Sequence, residues 1–186
     1  MQNIYDNENL VNTLKEGGVV VMPTDTIYGI LASALLPNAV ERVYEIRERE
    51  KSKACIILIS DFKDLEKFGI EISESQKAEI LQEKDRALTF ILDCDNENFS
   101  YLHRGNNTLA FRIPKDENLR NLIKQTGVLI APSANKAGEK PSSNIEEAKE
   151  YFSNLVDLYI DGGRIEASPS IIIKFEKDGS IKVIRE

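Results

Sequence analysis

Tryptophan is absent from this chain, histidine occurs once and cysteine twice. These shortages close off whole classes of chemistry. Cys55 and Cys94 sit in the apolar stretches ACIILIS and FILDCDN, with no CxxC and no histidine beside them. Neither a disulfide framework nor a zinc cage is expected, and both thiols read as small buried hydrophobes. His103 is the sole imidazole available to a Ser-His or Cys-His pair, and in its polar stretch it is expected to be solvated and without a catalytic role. The P-loop, GxGxxG, GxSxG and HExxH patterns are all missing, so a bound nucleotide would need another device. No apolar run approaches the ~20 residues that cross a bilayer, and the acidic start MQNIYDNENL lacks the form of a secretory signal. A cytoplasmic protein with no membrane partner is expected.

Basic residues are the next scarcity: 24 Lys and Arg stand against 31 Asp and Glu, a net charge of −7. That balance argues against gripping nucleic acid by bulk electrostatics, although a local basic pocket stays open. What is present is ordinary globular material, 41% hydrophobic and 30% charged over 186 residues, which suffices for one domain with its own core. No repeat, linker or low-complexity block divides the chain, so a single domain over 1–186 is expected.

Hydrophobic periodicity places the elements. Leu10, Val11 and Leu14 predict a short helix over 7–15 stopped by Gly17 and Gly18. The β-branched run at 19–22 is a buried strand ended by Pro23. Asn38 is the predicted N-cap of a helix reaching about Glu50, and 55–59 is a second buried strand. Ser73 with Gln76 forms a capping box for a helix to about Glu83. Strands follow at 88–92 and 108–112, separated by a polar, irregular stretch. Asp116 opens a helix that Gly127 stops, 128–131 is a strand, and Asn144 with Glu147 caps the next helix. The final SIIIKFEKDGSIKVIR is a hairpin turning at Asp178 and Gly179. Interleaved strands and helices with an antiparallel pair predict an α/β (α+β mixed) fold built on a twisted mixed sheet.

Four segments carry possible chemistry. VVVMPTDTIYGI emits Thr24, Asp25, Thr26, Tyr28 and Gly29 from a strand end, where ligands collect in such sheets. Read locally, its hydroxyls equally suit a self-satisfied turn. YEIREREKSK gathers Arg47, Arg49 and Lys53 near a helix C-terminus; these either complement the helix dipole on a solvated face or converge on phosphate oxygens. VLIAPSANKAGEKPSS is a strand end followed by a long polar loop with Ser133, Asn135 and Ser143. DGGRIEASPSIII places two glycines before Ser168 and Ser170, and on its own reads as a turn.

Taken in order, PTDTIYG, RxRxxxK, TLAFRIP, APSANKAGEKPSS, DGGR with SPSIII, and the terminal VIR resemble the YrdC/TsaC family of threonylcarbamoyl-AMP synthases, from about Gly18 to Arg185. The resemblance implies a YrdC/RibB-like sheet wrapped with helices around a deep cavity. It implies an enzyme, a nucleotidyltransferase, that forms threonylcarbamoyl-adenylate and pyrophosphate from L-threonine, bicarbonate and ATP. Magnesium would accompany ATP without a dedicated protein metal site. The product would pass to a separate transferase that modifies an adenosine beside the anticodon of tRNA. By motif, Thr24, Arg112, Ser133 and Ser170 correspond to contacts with threonine. Arg47, Arg49, Lys53, Thr108, Asn135, Ser143 and Arg185 correspond to the ATP side, with Arg47, Arg49 and Lys53 carrying the catalytic charge.

The chain departs from the family pattern in places. Arg47 stands where lysine is usual, Ala54 where proline is common, and Lys84-Asp85-Arg86-Ala87 where the family has WPGP. Its extent resembles the short, single-domain form. Two other readings stay open at this stage: an RNA-binding module of the same fold, disfavoured by net charge, and a carbamoyl-adenylate-forming domain of the hydrogenase-maturation type.

Overall fold

The structure, a computed structural model, describes residues 3–83 and 86–186. Helix α1 (Glu8–Lys15) is capped by the Asn7 side chain, which accepts from the Leu10 amide, and it buries Leu10 and Leu14. Strand β1 (Val20–Pro23) ends at its proline as expected. The chain then turns back at once, with the Thr24 amide donating to the Ile27 carbonyl at 3.1 Å. Strand β2 (Tyr28–Ser33) returns antiparallel, Pro23 opposite Tyr28. The stretch read as a strand-end loop is therefore a hairpin.

Helix α2 (Pro37–Ile46) begins one residue before Asn38, which is not the cap; Leu36 is, without a side-chain hydrogen bond. Proline at the first helical position has its φ preset and no amide to satisfy, so it outcompetes the asparagine. The helix also stops short of residue 50, because Glu48 takes a left-handed backbone, φ 52°. Strand β3 (Ile56–Leu58), a 3₁₀ segment (Phe62–Phe68), α3 (Glu74–Gln82) and β4 (Leu88–Asp93) follow. The Ser73/Gln76 capping box is fully formed. The supposedly irregular stretch after β4 holds a 3₁₀ turn (Glu97–Phe99) and α4 (Ser100–His103), both too short to show a period in sequence. His103 is 2% exposed, not solvated; its Nδ1 accepts from the Gly105 amide.

Strand β5 (Thr108–Arg112), α5 (Glu117–Thr126), β6 (Leu129–Ile130), α6 (Ile145–Phe152), β7 (Leu158–Tyr159) and the hairpin of β8 (Ile171–Phe175) and β9 (Ile181–Arg185) complete the order. Among the described residues, nine strands join in one sheet in the order β7-β1-β2-β6-β3-β5-β4-β8-β9. The pairs β1/β7, β3/β5 and β4/β8 are parallel and the others antiparallel, which is the mixed class expected.

Alternation along β1 explains its unbroken apolar run. Val19 and Val21 pack into one core with α2 and α6, whereas Val20 and Met22 pack into a second core with α1 and α5. Both cysteines are free and buried. Among the described residues no helix is long and apolar enough to cross a membrane. Lys84 and Asp85, half of the segment replacing WPGP, lie outside the described residues; Ala87 accepts from the Ile171 amide at 2.9 Å, joining that segment to β8.

Candidate active site

One face of the sheet is left uncovered by helices where β3, β5, β4 and β8 run side by side. Ile56, Ala110, Ile91 and Ile172 from these strands floor a cavity of about 430 Å³, within the usual size of small-ligand sites. Strand β5 shows how the sequence achieves this. Leu109 and Phe111 point into the core, so the alternate residues Thr108, Ala110 and Arg112 face the hollow, and alanine at its centre leaves room.

The β1/β2 turn and the start of the 132–143 loop form the inner wall. Gly29 lets the chains approach closely there: a Cβ would lie 3.2 Å from Thr24 Cγ2 and 3.0 Å from Leu31 Cδ1, tight enough that those side chains would have to shift. Ser133 bridges back to Gly29, and the Ile30 amide donates to the Pro132 carbonyl at 3.0 Å. Thr24 Oγ1 donates to the Ile27 carbonyl at 2.7 Å and lies 3.1 Å from Thr26 Oγ1, so the hydroxyls are partly engaged in holding the turn while both threonines line the cavity.

Arg112 is 4% exposed. Its Nη2 lies 3.1 Å from Asp25 Oδ1 as an ion pair, and donates to Thr24 Oγ1 at 3.4 Å. The second oxygen of Asp25 accepts from the Lys115 amide at 3.0 Å. Burial pulls the Arg112 pKa down, the Asp25 charge pushes it back up, and neighbouring Arg185 lowers it. Arg112 Nε is buried without a partner.

The outer wall comes from the β8/β9 hairpin. Arg185 donates to the Ser170 carbonyl through Nη2 at 2.7 Å and Nε at 3.1 Å. Ser170 is 1% exposed, and its Oγ is 2.7 Å from Thr89 Oγ1. Across the mouth, Arg49 is held by its Nε on the Lys53 carbonyl at 3.0 Å and its Nη2 on the Ala54 carbonyl at 2.9 Å, beside Asn106 and Thr108.

Of the residues singled out in sequence, Thr24, Arg49, Thr108, Arg112, Ser133, Ser170 and Arg185 therefore line one cavity. Arg47, Lys53, Asn135 and Ser143 are not among its lining residues. Arg47 is buried beneath the 132–143 loop, with Nε on the Asn135 carbonyl at 3.0 Å and Nη2 on Asn135 Oδ1 at 3.2 Å. Asn135 spends its own amide on the Lys136 and Glu139 carbonyls. Lys53 points outward, 66% exposed and paired with Glu50 at 2.9 Å. Ser143 precedes the cap of α6, where its amide and hydroxyl both donate to Glu147. Sequence reasoning passed over Asp25 as a site residue; its only signal was a carboxylate between two threonines at a strand end.

Among the described residues, the charged side chains lining the hollow are Arg49, Arg112 and Arg185, with no carboxylate or lysine beside them in the lining. In a chain of net charge −7 this is a segregated positive site, suited to an anionic small molecule. Among the described residues no group of three or more His, Cys, Asp or Glu is placed to hold a metal ion. Fold and site together define an α/β protein with a sheet-floored, arginine-lined cavity whose chemistry suits an anionic ligand.

The sequence profile of the Sua5/YciO/YrdC family, described under telomere recombination, matches residues 12–186, and the chain belongs to that family. It is 34% identical over 164 residues to the threonylcarbamoyl-AMP synthase of Pyrococcus abyssi, covering 86% of this chain and 48% of the relative. To the threonylcarbamoyl-AMP synthase of Bacillus subtilis it is 32% identical over 152 residues, covering 81% and 44%. The crystal structure of Pyrococcus abyssi Sua5 complexed with L-threonine superposes with a TM-score of 0.82 at 30% identity, over 92% of this chain and 50% of that one. The chain thus spans about half the length of these relatives.

Proposed function

We propose that this chain carries the catalytic cavity of an L-threonylcarbamoyladenylate synthase. The observation that supports it is the pairing, in one hollow, of three arginines, with no lining carboxylate among the described residues, and a cluster of hydroxyls from Thr24, Thr26, Ser133 and Ser170. Such a lining suits an amino acid's carboxylate at one end and a polyphosphate at the other. The names of the relatives above support the same choice of substrates.

In this reading the deep Arg112 meets the threonine carboxylate, with Thr24, Ser133 and Ser170 around the amino acid. Arg49, Arg185 and Thr108 receive ATP nearer the mouth. The threonine nitrogen, as the free amine, adds to the carbon of carbon dioxide derived from bicarbonate: an N–C bond forms as one C=O π bond opens onto oxygen, and one nitrogen proton is lost to water. A carbamate oxygen then forms a bond to the α-phosphorus while the α,β-bridging P–O bond breaks, and pyrophosphate departs with the electron pair. Neither step needs a protein nucleophile. Alignment of two ligands in one hollow can supply ~7–11 kcal/mol of the barrier, and fixed arginines stabilise charge that develops on phosphate oxygens. Magnesium would enter on the triphosphate. The adenylate would serve a separate tRNA-modifying transferase, in the cytoplasm.

Pyrophosphate release, measured with ATP, bicarbonate and each amino acid in turn, tests this. Release should require bicarbonate and be fastest with threonine, with serine slower by about 10- to 200-fold for its missing methyl. Release that ignores the amino acid would overturn the proposal.

A further inference from the structure

Arg47 is 3% exposed and enters no ion pair among the described residues. Its guanidinium is held by neutral acceptors: the Asn135 carbonyl at 3.0 Å, Asn135 Oδ1 at 3.2 Å and Ser133 Oγ at 3.3 Å. Its own carbonyl accepts from the Ala137 amide at 2.9 Å, so one residue at the end of α2 ties down 133, 135 and 137. The same segment is fixed from the opposite side, where the Ala134 amide donates to the Tyr28 carbonyl at 2.9 Å. Between these clamps Ser133 is presented to the cavity. Arg47 Nη1 is buried without a partner, but Arg47 is not among the residues that line the cavity. Moving the guanidinium into the hollow would break its hydrogen bonds to Asn135 and strand two buried acceptors there, a cost that an exposed cation such as Lys53 would not meet.

We propose that Arg47 is a positioning residue, holding the 133–137 segment in the register that presents Ser133 to the bound amino acid without itself touching threonine or ATP. The arginine fork suits this task, because its Nε and Nη2 engage the carbonyl and side-chain oxygens of one asparagine together, which a single ammonium point cannot reproduce. The inference rests on the function proposed above for its ligand readouts, but its structural readout stands alone.

The test uses the full chain with Arg47→Met and Arg47→Lys. Hydrogen exchange over 132–143 is followed without ligand, and affinities for L-threonine and for ATP are measured separately by calorimetry. Arg47→Met should speed exchange at 133–137 and weaken threonine by about tenfold, while ATP affinity moves by less than about threefold. Arg47→Lys should fall between on exchange and threonine. Should Arg47→Met not fold, Arg47→Lys carries the test by the same two readouts. Unchanged exchange at 133–137 in the folded variants overturns the inference, as does a loss confined to ATP that lysine restores. If the unaltered chain binds neither ligand, the proposed function fails, while faster exchange in the variants still upholds the clamp.

Discussion

On the inner side of the cavity, Arg112 is 4% exposed, ion-paired to Asp25, and bounded by strands with neighbours on both sides. On the outer side, Arg185 ends β9, a strand exposed along its whole length and paired only to β8. The same residue type thus serves under two regimes. Arg112 is aimed before any ligand arrives, and its desolvation makes each partner matter. Arg185 stands in or near water, where charge is screened, and its fork is anchored on the Ser170 carbonyl. The lesson is that one cavity can pair a desolvated cation on its inner wall with a screened one at its rim.

The sharpest way to break that contrast is Asp25→Ala. It strands a buried guanidinium, and urea unfolding should show a loss of about 3–5 kcal/mol; a loss below 1 kcal/mol would mean that the inner wall is no more rigid than the outer. Next, Arg112→Ala should raise the KM for threonine about hundredfold, the worth of a charge-assisted pair near ~2.7 kcal/mol, and raise that for ATP far less. Equal effects on both would contradict the assignment. Arg185→Ala should raise the KM for ATP by about tenfold at low salt and by less as ionic strength rises, and should cost about 1–3 kcal/mol of stability for the hydrogen bonds lost from the Ser170 carbonyl. A salt-independent effect would place Arg185 in the same regime as Arg112.

The smallest effect concerns the far end of the inner loop. Hydrogen bonds from the Ser143 amide and hydroxyl hold the Glu147 carboxyl below its ordinary value of 4.5. A depressed folded value means that this anchor is intact above pH 4.5 and is lost as pH falls through the lower folded value. The Ser143 amide resonance should follow that acid titration, and in Glu147→Gln it should not.

Much of this architecture can be read along the chain. Pro23 ends β1, Asp116 and Gly127 bracket α5, and the Ser73/Gln76 box forms as spaced, because each depends on a few neighbouring residues. TLAFR even shows, through its alternation, which residues face the hollow. Elements shorter than one period escape: α4 and β7 leave no repeating signal. The site divides in the same way. Charge and motif order drew attention to Arg47 and Arg49 alike, two residues apart, yet Arg49 lines the cavity and Arg47 lies beneath it. Nothing in the local residue pattern separates them; in the fold Glu48, between them, takes a left-handed backbone.

The sequence by itself determined most of the longer strands and most of the helix caps, the buried thiols and the set of polar residues from which a site is assembled, because propensity, capping and periodicity act over a few residues. Only the tertiary structure decided which arginines are neutralised, which are clamped and which stay open to a ligand. Partners such as Thr24 with Arg112, or Asn135 with Arg47, stand 88 residues apart in the chain, and only the folded sheet brings them into range.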